Sequence, residues 1–368
     1  MVEISEVMES TNKQCGIGTL FKATGLKKDP PRLPSGIFAV DYATGGGFPI
    51  WGTSCLWGPE SGGKTSIGSN AVKMTALICW NCFNLTDHCE CSTKPLSMEA
   101  VWADVEGTLD RDWVHAIGGD PEKYSVILAD YAEQYANISD NVLKADNCGL
   151  LVVDSLAAMV PAAEMEAAAE DDFYALQARM IGRMVRKLKQ RLIRERKRCH
   201  PCTIIFTNQL RMKIGQRFGD PETMSGGHGM KHEFSLLLRC VKKSLNDADK
   251  AKYIDSKRKK TQAIRHSFAI RKEKVLTLSS VGEYIRVVES IPSMDLHKGM
   301  IDDMGTVMNY AKEYDIVQKG SGAKPWKYFN YNARTLDDIK TLWKKKDIEF
   351  LHTKMEIVKR AKARLEGC

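Results

Sequence analysis

No apolar run in the 368 residues approaches the roughly 18 that a bilayer-spanning helix requires, so a membrane-spanning chain is set aside. The stretch Met1 to Leu26 mixes acidic, basic and small polar residues and lacks the basic-then-apolar order of a secretory signal, so an intracellular, cytoplasmic protein is expected. Internal repeats and low-complexity tracts are missing too, which sets aside repeat architectures. What is present is ordinary for a globular protein. Hydrophobic residues make up 43% and charged residues 27% of a chain longer than one average domain, which predicts a large core domain with a smaller satellite. The formal net charge of +8 is compatible with a polyanionic partner, and Lys and Arg crowd into Arg179 to Arg198, Lys242 to Lys274 and Lys340 to Lys346. Eleven cysteines in a cytosolic-looking chain predict metal binding or buried thiols rather than disulfides.

Residues 1–32 read as a polar leader ending in the break Lys27-Lys28-Asp29-Pro30-Pro31. After Gly45-Gly46-Gly47, the apolar run Thr53 to Trp57, a glycine loop and a segment through Ile78 predict strand, loop and helix. Short apolar runs recur at Ala100 to Ala103, Tyr124 to Leu128, Gly149 to Val153 and Thr203 to Thr207. Helix-length segments separate them, which predicts a parallel sheet covered on both faces. Leu176, Met180, Ile181, Met184, Val185, Leu188 and Leu192 recur with helical period, with Arg179, Arg183, Arg186 and Lys187 largely between them. A long basic amphipathic helix is expected there. The core, residues 33–291, is therefore predicted to be α/β. Residues 292–368 are expected to form a small C-terminal α/β domain, with helices over Met300 to Tyr314 and Leu336 to Leu365 around the aromatic stretch Trp326 to Tyr331.

Gly58-Pro59-Glu60-Ser61-Gly62-Gly63-Lys64-Thr65 matches the G-x-x-x-x-G-K-[ST] pattern between a predicted strand and a predicted helix. In that context backbone N–H groups close on phosphates, Lys64 supplies a cation to the β and γ groups, and the Thr65 hydroxyl ligates Mg²⁺, with Ser66 next on the helix. Leu150-Leu151-Val152-Val153-Asp154 is a buried strand ending in a carboxylate suited to the Mg²⁺ hydration shell, although a helix-capping aspartate has the same pattern. Trp102-Ala103-Asp104-Val105-Glu106 is a second apolar strand ending in acids, and either Asp104 or Glu106 fits the base that orients an attacking water.

With these motifs in order, from about Leu33 to Lys345, the chain resembles bacterial RecA and its phage-encoded relatives. GPESGGKT is similar to that family's phosphate loop, and VVDSLAAMVPAAEMEA, Val152 to Ala167, to its metal strand. NQLRMKIGQRFGDPETMSGGHGMK, Asn208 to Lys231, is similar to its sensor strand and second DNA-binding loop. The resemblance implies a RecA-like P-loop NTPase core and an ATP-dependent recombinase in a bacterial cell or phage-infected host. Such a protein forms a homo-oligomeric helical filament on single-stranded DNA, pairs it with double-stranded DNA, and hydrolyses ATP with Mg²⁺ when DNA is bound.

The same resemblance makes Glu106 the water-activating carboxylate and Gln209 the γ-phosphate sensor, and puts Asp110 and Trp113 at the adenine pocket. A first DNA loop would be Ala167 to Tyr174, with Phe173 and Tyr174 against separated bases. A second would be Arg211 to Gly227, with Arg211 and Lys213 on phosphates, Ile214 between bases, and Ser225, Gly226 and Gly227 allowing close backbone approach. Arg179 and Arg186 are further phosphate candidates. Lys272 and Lys274, alternating with Glu273 on a strand, resemble the pair that reaches a neighbour's ATP across the filament interface. A RecA-fold helicase or repair-associated DNA-dependent ATPase shares the phosphate loop and is the alternative. The second loop and the lysine pair favour strand exchange.

The chain departs from that family within residues 79–97. Cys79, Cys82, Cys89 and Cys91 place four thiols within 13 residues, enough for a closed structural Zn²⁺ site, with His88 as an alternative ligand. Cys199 and Cys202 form a second, lesser pair, and both clusters are expected at the edge where strands begin, away from ATP. The leader is shorter than the family's polymerisation arm, and the basic end Lys359 to Arg364 stands where an acidic tail is usual, which predicts less self-inhibition of DNA binding.

Overall fold

The chain is described from a computed structural model that covers residues 3–366 except 16–18, 21, 23–28, 118, 167–173, 213–221, 227–228, 256–258, 275 and 321–325. The apolar runs become a nine-stranded sheet. Its strands are β1 (Thr53–Gly58), β2 (Glu99–Asp104), β3 (Tyr124–Ile127), β4 (Cys148–Asp154), β5 (Thr203–Met212), β6 (Glu222–Met224), β7 (Leu236–Lys243), β8 (Ala263–Glu273) and β9 (Val281–Val287). The order is β9-β8-β7-β1-β5-β4-β2-β3, with β6 paired to the far end of β5. From β3 across to β7 all pairings are parallel, whereas β8 and β9 add an antiparallel edge. Every position of β1 and β4 is buried, as in strands covered on both faces.

One face is covered by α1 (Lys64–Leu77), whose Ile67, Ala71 and Met74 pack with Leu56, Trp102 and Val152. The other is covered by α2 (Ala132–Val142) and α3 (Tyr174–Lys197). Met180, Ile181, Met184, Val185, Leu188 and Leu192 of α3 enter the core with Leu151 and Ile204, while Arg179, Arg183, Arg186 and Lys187 are exposed. Each fully buried Leu or Val on that stripe contributes about 1.5–3 kcal/mol. The helical period of this segment thus sets both its packing face and its basic face.

Helix Ile4–Cys15 has no buried residue, and Arg32–Leu33 pairs antiparallel with Phe48–Pro49. Beyond Pro292 come helix Met304–Glu313, a three-stranded sheet of Val317–Lys319, Trp326–Tyr328 and Tyr331–Ala333, and helices Leu336–Lys345 and α4 (Asp347–Glu366). The single helix expected over Leu336 to Leu365 is broken at Lys346, where φ −134° and ψ 85° leave the helical region. Asp347 and Glu349 then favour a new helix start, because acidic groups complement the positive end of the dipole. Val307, Met308, Tyr328, Trp343 and Ile357 share a core that also takes in Phe38. Near its start α4 packs Ile348, Leu351 and Met355 on the α1 side of the sheet instead. Among the described residues no helix is long and apolar enough to cross a membrane.

Candidate nucleotide and metal sites

Parallel pairing brings the carboxyl ends of β1, β2, β4 and β5 together, with Gly58 beside Gln209 and Asp104 beside Asp154. Gly58 has φ +148°, and a Cβ there would lie 2.0 Å from the Cys240 carbonyl oxygen of β7. Only glycine fits. Gly63, at φ 94°, opens α1, and a Cβ on it would meet Tyr284 Oη at 2.5 Å and His266 Nδ1 at 2.9 Å. The phosphate loop therefore rests on β8 and β9. His266 stacks on Tyr284 with ring centroids 5.1 Å apart, and Arg286 Nε lies 3.3 Å from His266 Nε2. Burial, with Arg286 adding, brings the His266 pKa down to about 4, so the imidazole under the loop is neutral at physiological pH. Neither His266 nor Tyr284 is singled out by sequence reasoning, since no motif marks a contact that spans 221 positions.

Within the loop Pro59, Glu60 and Ser61 are exposed, while Gly62 and Ser66 are buried. Lys64 Nζ donates to the carbonyl oxygens of Gly58 at 3.1 Å and Pro59 at 2.8 Å. Burial lowers its pKa, opposed by neighbouring acidic groups that include Asp154 and Glu106. Thr65 Oγ1 donates to Asp154 Oδ2 at 2.9 Å, and Thr207 Oγ1 donates to Asp154 Oδ1. Burial raises the Asp154 pKa, and the Glu106 charge pushes the same way against those two hydroxyls. A buried carboxylate beside a hydroxyl at the mouth of a phosphate loop is the oxygen donor set that Mg²⁺ takes.

Of the two acids after β2, Asp104 is buried and accepts from the backbone N–H of Thr108 at 3.2 Å and Leu109 at 3.0 Å, so it ties down the turn. Glu106 is exposed; its Oε1 accepts from Ser155 Oγ at 2.5 Å and lies 3.5 Å from Gln209 Nε2. The structure thus brings Glu106 and Gln209 together at the site. Asp110 caps helix Arg111–Ala116 by accepting from the N–H groups of Asp112 and Trp113, and the Arg286 guanidinium lies 5.1 Å above the Trp113 ring. Trp113 and the phosphate loop are thereby joined through Arg286 and His266.

Gln209 does not end its strand. β5 continues to Met212 because Leu210 to Met212 pair with β6, so the strand beside the phosphate loop becomes one leg of the hairpin that carries the second loop. Arg211 Nε donates to Ser225 Oγ at 2.8 Å, and Gly226 has φ +96°. Phe173, Lys213, Ile214 and Gly227 lie outside the described residues, as does the side chain of Tyr174, which opens α3. Lys272 Nζ reaches the Lys231 carbonyl at 2.6 Å and Lys274 Nζ the His232 carbonyl at 3.5 Å, so both point to helix Met230–Glu233. Burial, with Lys274 and Lys189 nearby, lowers the Lys272 pKa.

The Sγ atoms of Cys79, Cys82, Cys89 and Cys91 lie within 4.8 Å of one another, with Cys79–Cys91 at 3.9 Å and Cys82–Cys89 at 3.7 Å. All four are free thiols. Burial opposes ionisation of Cys79, but the N–H groups of Cys82, Asn81 and Leu96, with the Cys89 thiol adding, bring its pKa down to about 6. Four sulfurs converging from short turns match closed tetrahedral Zn²⁺ ligation. Among the described residues the other group of three or more ligand atoms is His88, Glu349 and His352; His88 faces α4 and not the sulfurs. Cys199 is exposed and Cys202 buried, and neither is in either group.

A phosphate loop between a central parallel strand and a helix, with acids and a polar amide at the ends of neighbouring strands, defines a P-loop nucleotide-binding α/β protein. The family described as RecA N-terminal domain matches residues 2–277. The chain belongs to the RecA family. It is 30% identical over 343 residues to Protein RecA of Mycoplasma mycoides subsp. mycoides SC, covering 92% of this chain and 86% of that one. It is 34% identical over 229 residues to Protein RecA of Saccharopolyspora erythraea, covering 62% and 60%. The mitochondrial DNA repair protein recA homolog of Dictyostelium discoideum is 28% identical over 311 residues, with 83% and 63% covered.

Proposed function

We propose that this protein is a cytoplasmic, ATP-dependent recombinase that assembles as a filament on single-stranded DNA and pairs it with a homologous duplex. The observation that carries this reading is the link from Glu106 through Gln209 along β5 into the hairpin of the second loop. That continuity gives nucleotide and DNA a shared mechanical element. Family membership and relatives named for RecA and for DNA repair support it.

Residues Gly58 to Ser66 would hold the phosphates, Thr65 and Asp154 the Mg²⁺, and Asp110 with Trp113 the adenine side. ATP and Mg²⁺ supply, when bound, a cleavable phosphoanhydride and the charge that screens it. Glu106 accepts a proton from the water it orients, with Ser155 and Gln209 fixing the carboxylate. Gln209 signals occupancy by changing partner, and β5 carries the change to Arg211, Lys213, Ile214, Ser225, Gly226 and Gly227. Phe173, Tyr174, Arg179 and Arg186 would contact DNA, and Lys272 and Lys274 would reach the nucleotide of the adjoining subunit. Residues 1–32 serve assembly, 33–291 the ATPase core and 292–368 a C-terminal domain. Cys79, Cys82, Cys89 and Cys91 hold a structural Zn²⁺ that folds the insertion.

The test is ATP hydrolysis with and without single-stranded DNA, on the native chain and on Glu106→Gln. DNA is expected to stimulate the native protein, and the substitution to lower turnover by about 10²-fold or more, the range of lost general-base catalysis, with DNA binding kept. No response to DNA would overturn the reading.

A further inference from the structure

We propose that His88, Glu349 and His352 form a second divalent-metal site, distinct from the four cysteines, that clamps the cysteine insertion to α4. One imidazole nitrogen from each histidine and one Glu349 oxygen lie within 4.8 Å of one another. Two imidazoles and a carboxylate are donors that Zn²⁺ and similar borderline ions accept at about 2.0–2.2 Å, and three protein ligands leave one position for an exchangeable group. Imidazole donors disfavour Mg²⁺ and Ca²⁺, so this site and the nucleotide site select different ions.

The ligands come from two elements that the fold holds face to face. Glu349 and His352 are three apart on α4 and share a face of that helix. His88 ends the single turn Thr86–His88, anchored by buried Leu85 and its bridge to Ile78. The two imidazole rings lie 3.8 Å apart with an interplanar angle of 8°, so their in-plane lone pairs run side by side, and one ring must turn for both to take the same ion; Phe329 stacks on His352 at 5.2 Å. His352 Nδ1 is buried with no hydrogen-bond partner, as are His200 Nε2 and His266 Nδ1, and of these three His352 alone belongs to a group of convergent ligand atoms among the described residues. A buried ring nitrogen is almost always paired, and metal coordination is one of the few ways to satisfy it. His88, Glu349 and His352 also line a cavity of about 480 Å³ with Tyr331 and Lys346, which gives the fourth ligand access.

This inference does not rest on the recombinase reading, and its test separates it from the zinc assigned to the cysteines. The full-length protein is equilibrated with Zn²⁺, desalted, and its zinc measured per chain, with Co²⁺ substitution as a spectroscopic readout. The native chain is expected to hold two equivalents. His88→Gln and Glu349→Gln, on different elements, should each lower this to one and keep the thiolate-to-cobalt charge-transfer band, whereas Cys82→Ser, which also loosens the insertion that carries His88, should remove that band. One native equivalent lost in His88→Gln and Glu349→Gln but kept in Cys82→Ser would uphold this site and overturn the cysteine assignment. Any native stoichiometry that neither His88→Gln nor Glu349→Gln lowers would overturn the proposal. Nucleotide affinity and circular dichroism of each variant, expected unchanged, exclude misfolding as the cause of lost metal.

Discussion

The carboxyl edge of the central sheet and the cysteine insertion both gather polar side chains, but by different means. At the sheet edge Gly58, Glu106, Asp154 and Gln209 arrive from four parallel strands whose register is set by buried apolar rows. In the insertion Cys79, Cys82, Cys89 and Cys91 come from 13 consecutive residues folded by short turns, with Leu85 and Trp80 as the buried anchors. Sheet register fixes the first cluster at the cost of the whole core. The second is cheap in sequence, and on the zinc reading proposed above it depends on the ion its sulfurs would hold. Damage to the first should cost ligand affinity and spare the fold, and damage to the second should do the reverse.

The largest expected effect on this contrast comes from Lys64→Ala. It deletes a charged donor at the loop, worth about 1.5–3 kcal/mol, so affinity for a fluorescent ATP analogue should fall roughly 10- to 150-fold with the melting temperature nearly unchanged. A fall in melting temperature without loss of affinity would break the comparison. Next is Cys82→Ser, or treatment with a zinc chelator. Because structural metal binding is folding free energy, the melting temperature should drop by several degrees and proteolysis should begin within residues 79–97, while ATP-analogue affinity stays within about twofold. Equal loss of affinity would show that the two regions are not separable.

Asp154→Asn sharpens the comparison through pH. Burial raises the Asp154 pKa, so the folded chain holds a proton that the unfolded chain has released, and this group's contribution to stability declines as pH rises from the ordinary carboxylate range through the raised value. At pH 7 without nucleotide the amide should therefore melt higher than the native chain, with its advantage lost at acid pH, while Mg²⁺-dependent nucleotide binding weakens. A lower melting temperature at pH 7 would show that the hydroxyls of Thr65 and Thr207 outweigh burial. The smallest effect is Arg186→Ala on the exposed face of α3, which should reduce the slope of log affinity for single-stranded DNA against log salt by about 0.7 if one phosphate contact is lost.

The parallel strands β1 to β5 were readable because apolar runs and the phosphate-loop spacing are local patterns, whereas their order across the sheet and its antiparallel edge of β8 and β9 rest on distant pairings. Glu106 and Asp104 were not separable by spacing, since what distinguishes them is the turn through Thr108 and Leu109 that consumes one carboxylate. His266 and Tyr284 escaped notice because their role is to support a glycine far away in sequence, and a lone His on a strand carries no motif. His352 was equally silent, for its partner His88 sits on the far side of the chain's length. The break at Lys346 was hidden because the apolar spacing runs through it nearly unbroken.

The last helix has a consequence for biosynthesis. Ile348, Leu351 and Met355 of α4 close the apolar layer over the phosphate-loop helix, and Ile357 and Ala361 close the C-terminal core. A ribosome must therefore translate through α4 before either layer can be sealed, so apolar side chains of the nucleotide-binding half stay uncovered until that helix emerges. Holdase chaperones that cover apolar surface would be needed most during those seconds of translation, and a stop codon a few turns early would be far more damaging than its distance from the phosphate loop implies.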